Sequence, residues 1–440
     1  MDVELPQRCN ERRLVHTIQC KGGFIMDVKD INGTLNELRE KFLTGKINRR
    51  EFLKKLGKIG LAAPVALYVA RMSGIFGVDR AFAGSKKEGE MMEAETPAEL
   101  SETIEEALSL KMLEPIELRD NSEFKTNPPW RVGFANPGVN NPWRVCFQAC
   151  IEYQKSLTPE IKEFYQTDAG EKAEKQISDI EDLMGKNLDA LMVNPVTSEA
   201  MKPIMEEIHA AGTPSVTVDR WVDTDKVTCR TSSEHQDIVG TSVAEYFGKQ
   251  LGGKGKVIWL KAIEGVPEHD RRNNSFRDVI QSKYPNIELI GPILVGDLQA
   301  SSHKRVASDM ITKHPDLDGI FDDISFNAPH ILDIFLERGM DIPVMNGEDI
   351  NGWLKLWKKY NVRSIAGSFP VYCGRTGIKA IELILKGEPT PKVWWIPVLV
   401  ITEEKRDELI RPNFPDGFFT TTEVPEKWLV EEYDILTKLT

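Results

Sequence analysis

Polar and aromatic side chains suited to a small polar ligand cluster in four short stretches. They are Gly138-Val139-Asn140-Asn141-Pro142-Trp143-Arg144, Asp219-Arg220-Trp221, Glu268-His269-Asp270-Arg271-Arg272 and Asn346-Gly347-Glu348-Asp349. Carboxylates, amides, guanidinia and indoles converging on one cleft fit a polyhydroxylated molecule. Vicinal hydroxyls donate to an aspartate while accepting from arginine or asparagine, and an aromatic face covers the apolar C–H side of a sugar ring. Catalysis is poorly served. There is no GxSxG turn and no glycine-rich dinucleotide loop after a strand-like run, and His235, His269, His303, His314 and His330 make no HxH or HxxxH pair. These residues predict a binding protein without metal or cofactor, not an enzyme.

Plainer roles compete with each assignment. Asn141, just before Pro142, has the type and place of a helix N-cap. Asp219 and Arg220 could form a structural ion pair, and Trp143 could be partly core. Arg271 and Arg272 begin a helical stretch, where the macrodipole disfavours cations, so a positional need holds at least one of them there. Trp259 and Phe321, in strand-like runs, read as core, and Trp394 and Trp395 as core and hinge packing.

The four stretches lie at the ends of short β-branched runs. From Trp130 onward such runs alternate with helical patterns: WRVGFANP, EIKEFYQTDA, ALMVNPV and PSVTVDR, then, after KVTCRTSS, GKVIWLKA, ELIGPILVGD, GIFDDIS, PVMNGED and SIAGSF. This alternation predicts an α/β chain of βα units whose parallel strands are buried on both faces. About ten strands are too many for one compact sheet of this length, so two doubly wound lobes are expected. Ligands of such sheets sit beyond the carboxyl ends of the strands, where the polar stretches fall.

The N-terminal part differs in character. A basic segment, Asn48-Arg49-Arg50-Glu51-Phe52-Leu53-Lys54, precedes an apolar run from Ile59 to Ala70. That run is too short for a bilayer span of about 20 residues. With Ala81-Phe82-Ala83 before Gly84 it has the build of an export leader cleaved after Ala83. Gly57, Gly60, Pro64 and Gly74 make a poor core helix. The stretch before the arginines is long for a leader, which makes Met26 a candidate start. Residues 84–126 are acidic and poor in aromatics, and read as a linker with one amphipathic helix near Ala98 to Leu110. The formal net charge of −12 argues against nucleic acid as a partner. Beyond the leader, Cys146, Cys150, Cys229 and Cys373 are scattered over strand and helix stretches and read as free buried thiols.

The arginine-pair segment resembles the twin-arginine export signal, which implies passage through the twin-arginine translocase. From about Arg131 to Glu404 the chain resembles the ribose-binding-like group of type I periplasmic solute-binding proteins, the sugar receptors of ATP-driven importers. NNPW, KQISDIEDLMGKNLDALMVNPVTSEAM, TPSVTVDR, GGKGKV, RRNNSFRDVI, KHPDLDGIF and PVMNGED stand in that family's order and spacing. The resemblance implies two Rossmann-like lobes with parallel sheets and a three-segment hinge crossed near Ser232, near Ser368 to Phe369 and near Val400 to Thr402. Residues 127–232 with 369–400 would form the N-terminal lobe, and 233–368 with 401–440 the C-terminal lobe and tail, after an export segment 1–83 and the linker 84–126.

The resemblance further implies ligand contacts from Asn141, Trp143, Arg144, Asp219 and Arg220 in the first lobe, and from Arg272, Asp349 and Ser368 in the second. Two family positions depart from the pattern: Leu298 stands where an aromatic is expected and Ile324 where an asparagine is, with Asp323 or Phe326 as replacements if the local register shifts. The implied protein is a periplasmic monomer that closes on a monosaccharide or related polyol and delivers it to an ABC permease in the cytoplasmic membrane. Asp219→Ala or Arg272→Ala is expected to abolish binding without unfolding it. A sugar-sensing subunit for a membrane kinase or chemoreceptor shares this fold, as does a repressor core, but the leader and acidic linker argue against DNA.

Overall fold

The computed structural model describes residues 117–233 and 235–439, with short pieces before them at 17–19, 25–27, 37–38, 41, 46 and 55. The arginine pair Arg49-Arg50, the Ala83 cleavage point and the helix expected near Ala98 to Leu110 lie outside the described residues.

In chain order the first lobe is built from β1 (Trp130–Asn136), α1 (Pro142–Ser156), β2 (Ile161–Asp168), α2 (Ala173–Met184), β3 (Ala190–Val193), α3 (Ser198–Ala210), β4 (Ser215–Asp219) and β5 (Cys229–Ser232). The second follows with α4 (Gln236–Gln250), β6 (Lys254–Lys261), α5 (Pro267–Lys283), β7 (Asn286–Leu294), α6 (Ala300–Lys313), β8 (Gly319–Asp322), α7 (Ala328–Arg338), β9 (Val344–Glu348), α8 (Asn351–Tyr360) and β10 (Ser364–Gly367). Then come α9 (Cys373–Leu385), β11 (Val393–Trp395), β12 (Val400–Ile401), α10 (Glu403–Leu409), α11 (Glu426–Glu431) and α12 (Ile435–Lys438).

Two six-stranded sheets result, ordered β11-β5-β4-β3-β1-β2 and β7-β6-β8-β9-β10-β12. The first is parallel throughout, and the second departs only at its edge, where β12 runs antiparallel to β10. Every residue of β3 and β4 is buried, as strands covered by helices on both faces must be. The chain leaves the first sheet after Ser232, returns after Gly367 with α9 packed on α1, and crosses last between Trp395 and Val400.

Two close approaches position the second lobe's site. A Cβ on Gly240 of α4 would lie 2.2 Å from the Arg272 carbonyl of α5, so only glycine lets these helices touch there. A Cβ on Gly347 would lie 1.8 Å from Trp353 Nε1, so the end of β9 is pressed directly against α8.

The expected boundaries need correction at both ends. Residues 117–126, assigned to the linker, belong to the first lobe: Leu118–Arg119 pairs with Thr390–Pro391, and Asn121 Nδ2 donates to the Glu388 carbonyl at 2.7 Å. Residues 401–440 were expected to stay with the second lobe, but the structure divides them. Asn351 Nδ2 donates to the carbonyls of Arg411 at 2.8 Å and Phe414 at 2.9 Å, holding that stretch against the start of α8. Beyond it the chain lies on the first lobe. Phe419 N donates to Cys146 Sγ at 3.4 Å, Cys150 Sγ to the Thr422 carbonyl at 3.2 Å, and Tyr433 Oη to the Val145 carbonyl at 3.1 Å. The cause is apolar: Trp428 stacks on Tyr433 and meets Tyr153 of α1 edge-on. The tail therefore ties the lobes together as a fourth connection. Cys146, Cys150, Cys229 and Cys373 are buried free thiols, and burial pushes Cys146 and Cys229 up to about 12.

Candidate ligand-binding site

Asp219, the last residue of β4, has φ +64°, a left-handed conformation that an ordinary side chain adopts only when its surroundings hold it there. Its Oδ2 accepts from Asn194 Nδ2 at 3.1 Å and from Arg144 Nη1 at 3.4 Å, and Arg220 Nε lies 3.9 Å away. Arg220 Nη1 donates to the carbonyls of Pro195 at 3.2 Å and Val196 at 2.8 Å. Glu171, in the turn after β2, lies 3.9 Å from both Arg144 and Arg220. Two guanidinia, two carboxylates and an amide thus meet beyond the ends of β2, β3 and β4. Burial, reinforced by Arg220, pushes Arg144 below its ordinary range, while Asp219 and Glu171 oppose the shift.

Trp143 packs rather than points freely. Its ring stacks on Phe147 at 4.9 Å, its Nε1 donates to the Phe369 carbonyl at 2.9 Å, and Arg144 lies over its face at 4.9 Å. Asn141 caps α1, its Oδ1 accepting from Arg144 N at 3.0 Å.

In the second lobe Arg272, on α5, is buried and held from three sides. Its Nε and Nη2 donate to Gln236 Oε1 at 3.1 and 2.7 Å, and its Nη1 donates to the Asp323 carbonyl and, at 3.1 Å, to Glu348 Oε1. Ser325 N also donates to Glu348 Oε1 at 3.1 Å. Burial raises Glu348 to about 7, against the pull of Arg272. His269, one turn before Arg272, is held well below its usual pKa by burial and then by Arg220 and Arg272. The influence of Arg220 on His269 comes from the opposite lobe, and Arg271 lies over the Trp221 ring across the same seam at 4.8 Å. The lobes are therefore closed on each other.

Other expected residues are occupied elsewhere. Asp349 is committed to the hinge: Oδ1 accepts from Phe369 N at 2.9 Å and Oδ2 from the Thr421 hydroxyl. Ser368 Oγ accepts from Leu399 N at 2.7 Å, joining two crossings. Both are thus bonded to residues distant in the chain. Asp323 accepts from Ala262 N at 2.8 Å and Asn273 Nδ2 at 2.7 Å, and Phe326 packs on Phe419 of the tail. Leu298 is half-buried and Ile324 buried.

Asn194, Glu171 and Gln236 join the site without having been assigned to it, and His269 and Glu348 join it from within two of the polar stretches without having been singled out as ligand contacts. The signal for Asn194 was its place at the end of ALMV, matching that of Asp219 after SVTV. Arg144 Nε, Asn194 Oδ1 and Glu171 Oε1 in the first lobe, and Glu348 Oε2 and His269 Nδ1 in the second, are buried and without a hydrogen-bond partner among the described residues. Buried polar atoms are nearly always paired, so a run of exceptions from two lobes on one seam marks a place for a polar guest.

Two α/β lobes closed over such a seam define a clamp for a small polar solute. The chain belongs to the periplasmic binding protein domain family, whose model matches residues 132–389. It is 25% identical over 292 residues to the ribose import binding protein of Bacillus subtilis strain 168, covering 66% of this chain and 93% of that one. A solute binding protein of an ABC transporter from Mycobacterium smegmatis, solved with bound glycerol, superposes with a TM-score of 0.58 at 21% identity, over 64% of this chain and 98% of that one. One from Bacillus halodurans C-125, with bound myo-inositol, gives 0.57 at 19%, over 64% and 98%.

Proposed function

We propose that this protein is a periplasmic receptor that closes on an uncharged monosaccharide or polyol and hands it, as a monomer, to an ABC permease in the cytoplasmic membrane. The observation that carries the proposal is the set of buried, unpaired donors and acceptors that both closed lobes contribute to the site. The names of the ribose-binding relative and of the inositol-bound structure point the same way. Charge narrows the class. Arg144 and Arg220 lie within 4 Å of Asp219 and Glu171, and Arg272 lies 3.1 Å from Glu348, so each guanidinium already faces a carboxylate. A sugar acid or amine would bring an uncompensated charge into a buried site, which is costly.

A thermal-shift screen of the mature protein against pentoses, hexoses, inositols, sugar acids and nucleosides tests this, since a ligand of the folded state raises the melting temperature. A rise with neutral sugars or inositols and none with sugar acids is expected. Stabilisation by acids alone would defeat the proposal. Export belongs to the same reading: replacing Arg49 and Arg50 by lysine should trap precursor in the cytoplasm, and mature protein should begin at Gly84.

A further inference from the structure

Glu348 and Asp349 are consecutive residues at the end of β9, yet their carboxylates do opposite work. Both oxygens of Asp349 are taken up by Phe369 N and the Thr421 hydroxyl. Glu348 uses only Oε1, which accepts from Arg272 Nη1 and Ser325 N, while Oε2 is buried with no hydrogen-bond partner. With the Ser325 hydroxyl at 3.5 Å, three donors from two separate elements fix the carboxylate through one oxygen and leave the other in a set position. Arg272 has a matching remainder. A guanidinium carries five N–H bonds, and the contacts to Gln236, the Asp323 carbonyl and Glu348 use four of them. The second lobe therefore offers one acceptor, Glu348 Oε2, and one donor, the second N–H of Arg272 Nη2, on two side chains already bonded to each other.

We propose that Glu348 sets ligand specificity from the second lobe, its Oε2 accepting a hydrogen bond from a single ligand hydroxyl whose oxygen accepts from the remaining N–H of Arg272. This rests on the reading of the site as one for a neutral sugar or polyol. A hydroxyl is the group that can donate to a carboxylate and accept from a guanidinium at once, and it adds no charge to the balanced Arg272–Glu348 pair. A ligand lacking that hydroxyl leaves Oε2 buried and unpaired, the circumstance in which a site rejects an analogue most strongly. Burial holds the carboxyl near neutrality, at about 7, so an incoming hydroxyl bond also favours its charged form.

The test is titration calorimetry of wild-type protein and of Glu348→Gln and Glu348→Asp with D-ribose, D-xylose and myo-inositol, and with the singly deoxygenated form of each member that binds. Thermal melts establish that each variant is folded. Wild-type protein should reject one deoxy form by about 100-fold or more. Glu348→Gln should lose about tenfold or more in affinity for the parent, and its rejection of that deoxy form should shrink. Glu348→Asp keeps the charge opposite Arg272 but withdraws it by one methylene, and should show the same loss of discrimination if Gln fails to fold. Variants that bind with wild-type affinity and rank the deoxy forms as wild type does overturn this inference alone. Folded wild-type protein that binds no member of the panel overturns the sugar reading and this inference with it.

Discussion

The guanidinium of Arg271 lies 4.8 Å from the ring centroid of Trp221, and the two residues belong to different lobes. The contact exists only when the lobes meet, so it biases the hinge toward closure. Trp221→Ala should weaken ligand binding by about two- to fivefold, the range for a partly exposed cation–π pair. Small-angle scattering of the ligand-free variant should show a larger radius of gyration than wild type. An unchanged radius together with unchanged affinity would mean that the pair contributes nothing to closure.

Asp349 is predicted to be a stability residue. Asp349→Ala leaves the buried Phe369 N–H and Thr421 hydroxyl without an acceptor and unties the hinge from the tail. A loss of about 2–4 kcal/mol is expected from two such orphaned groups, read as a fall in the denaturant midpoint. Unaltered stability with binding abolished would return this carboxylate to the ligand.

The contrast between Asp219 and Asp349 shows how far the residues could be read before the structure. Both end β-branched runs, and that pattern placed both at carboxyl ends of buried parallel strands. What Asp219 meets comes from the neighbouring strand end, Asn194, from its chain neighbour Arg220 and from Arg144 on the helix after β1, so its role follows from position. What Asp349 meets is Thr421, 72 residues on, and the tail carries no periodicity to announce its path. The same holds for Ser368, whose partner is the backbone of Leu399. The strands were legible because burial on both faces writes itself into composition, whereas the choice between ligand and hinge depends on which distant segment arrives first.

Arg272 was expected to tolerate replacement structurally, and the observed network changes that expectation. Arg272→Ala removes the only guanidinium bonded to Glu348 among the described residues and strips Gln236 Oε1 and the Asp323 carbonyl of the donors seen there. Breaking a buried ion pair from one side costs about 3–5 kcal/mol. The variant should melt well below wild type as well as fail to bind. A binding defect with an unchanged unfolding midpoint would show that the network adds little to stability.

His303 gives the fold a pH dependence whose sign can be worked out. Burial disfavours its imidazolium, but the charge and hydrogen bond of Asp322 Oδ2 at 2.9 Å, with help from Asp323 and the Asp297 carbonyl, outweigh burial and lift its pKa to about 9. A folded-state pKa above the unfolded value of about 6.5 means that the folded chain holds the proton more tightly. The stabilisation is complete below about 6.5, declines as pH rises, and is gone above about 9. Melting temperatures measured from pH 6 to pH 10 should therefore fall through this window in wild type, and fall less steeply in His303→Gln. Parallel curves for the two proteins would show that the Asp322–His303 pair is not what titrates.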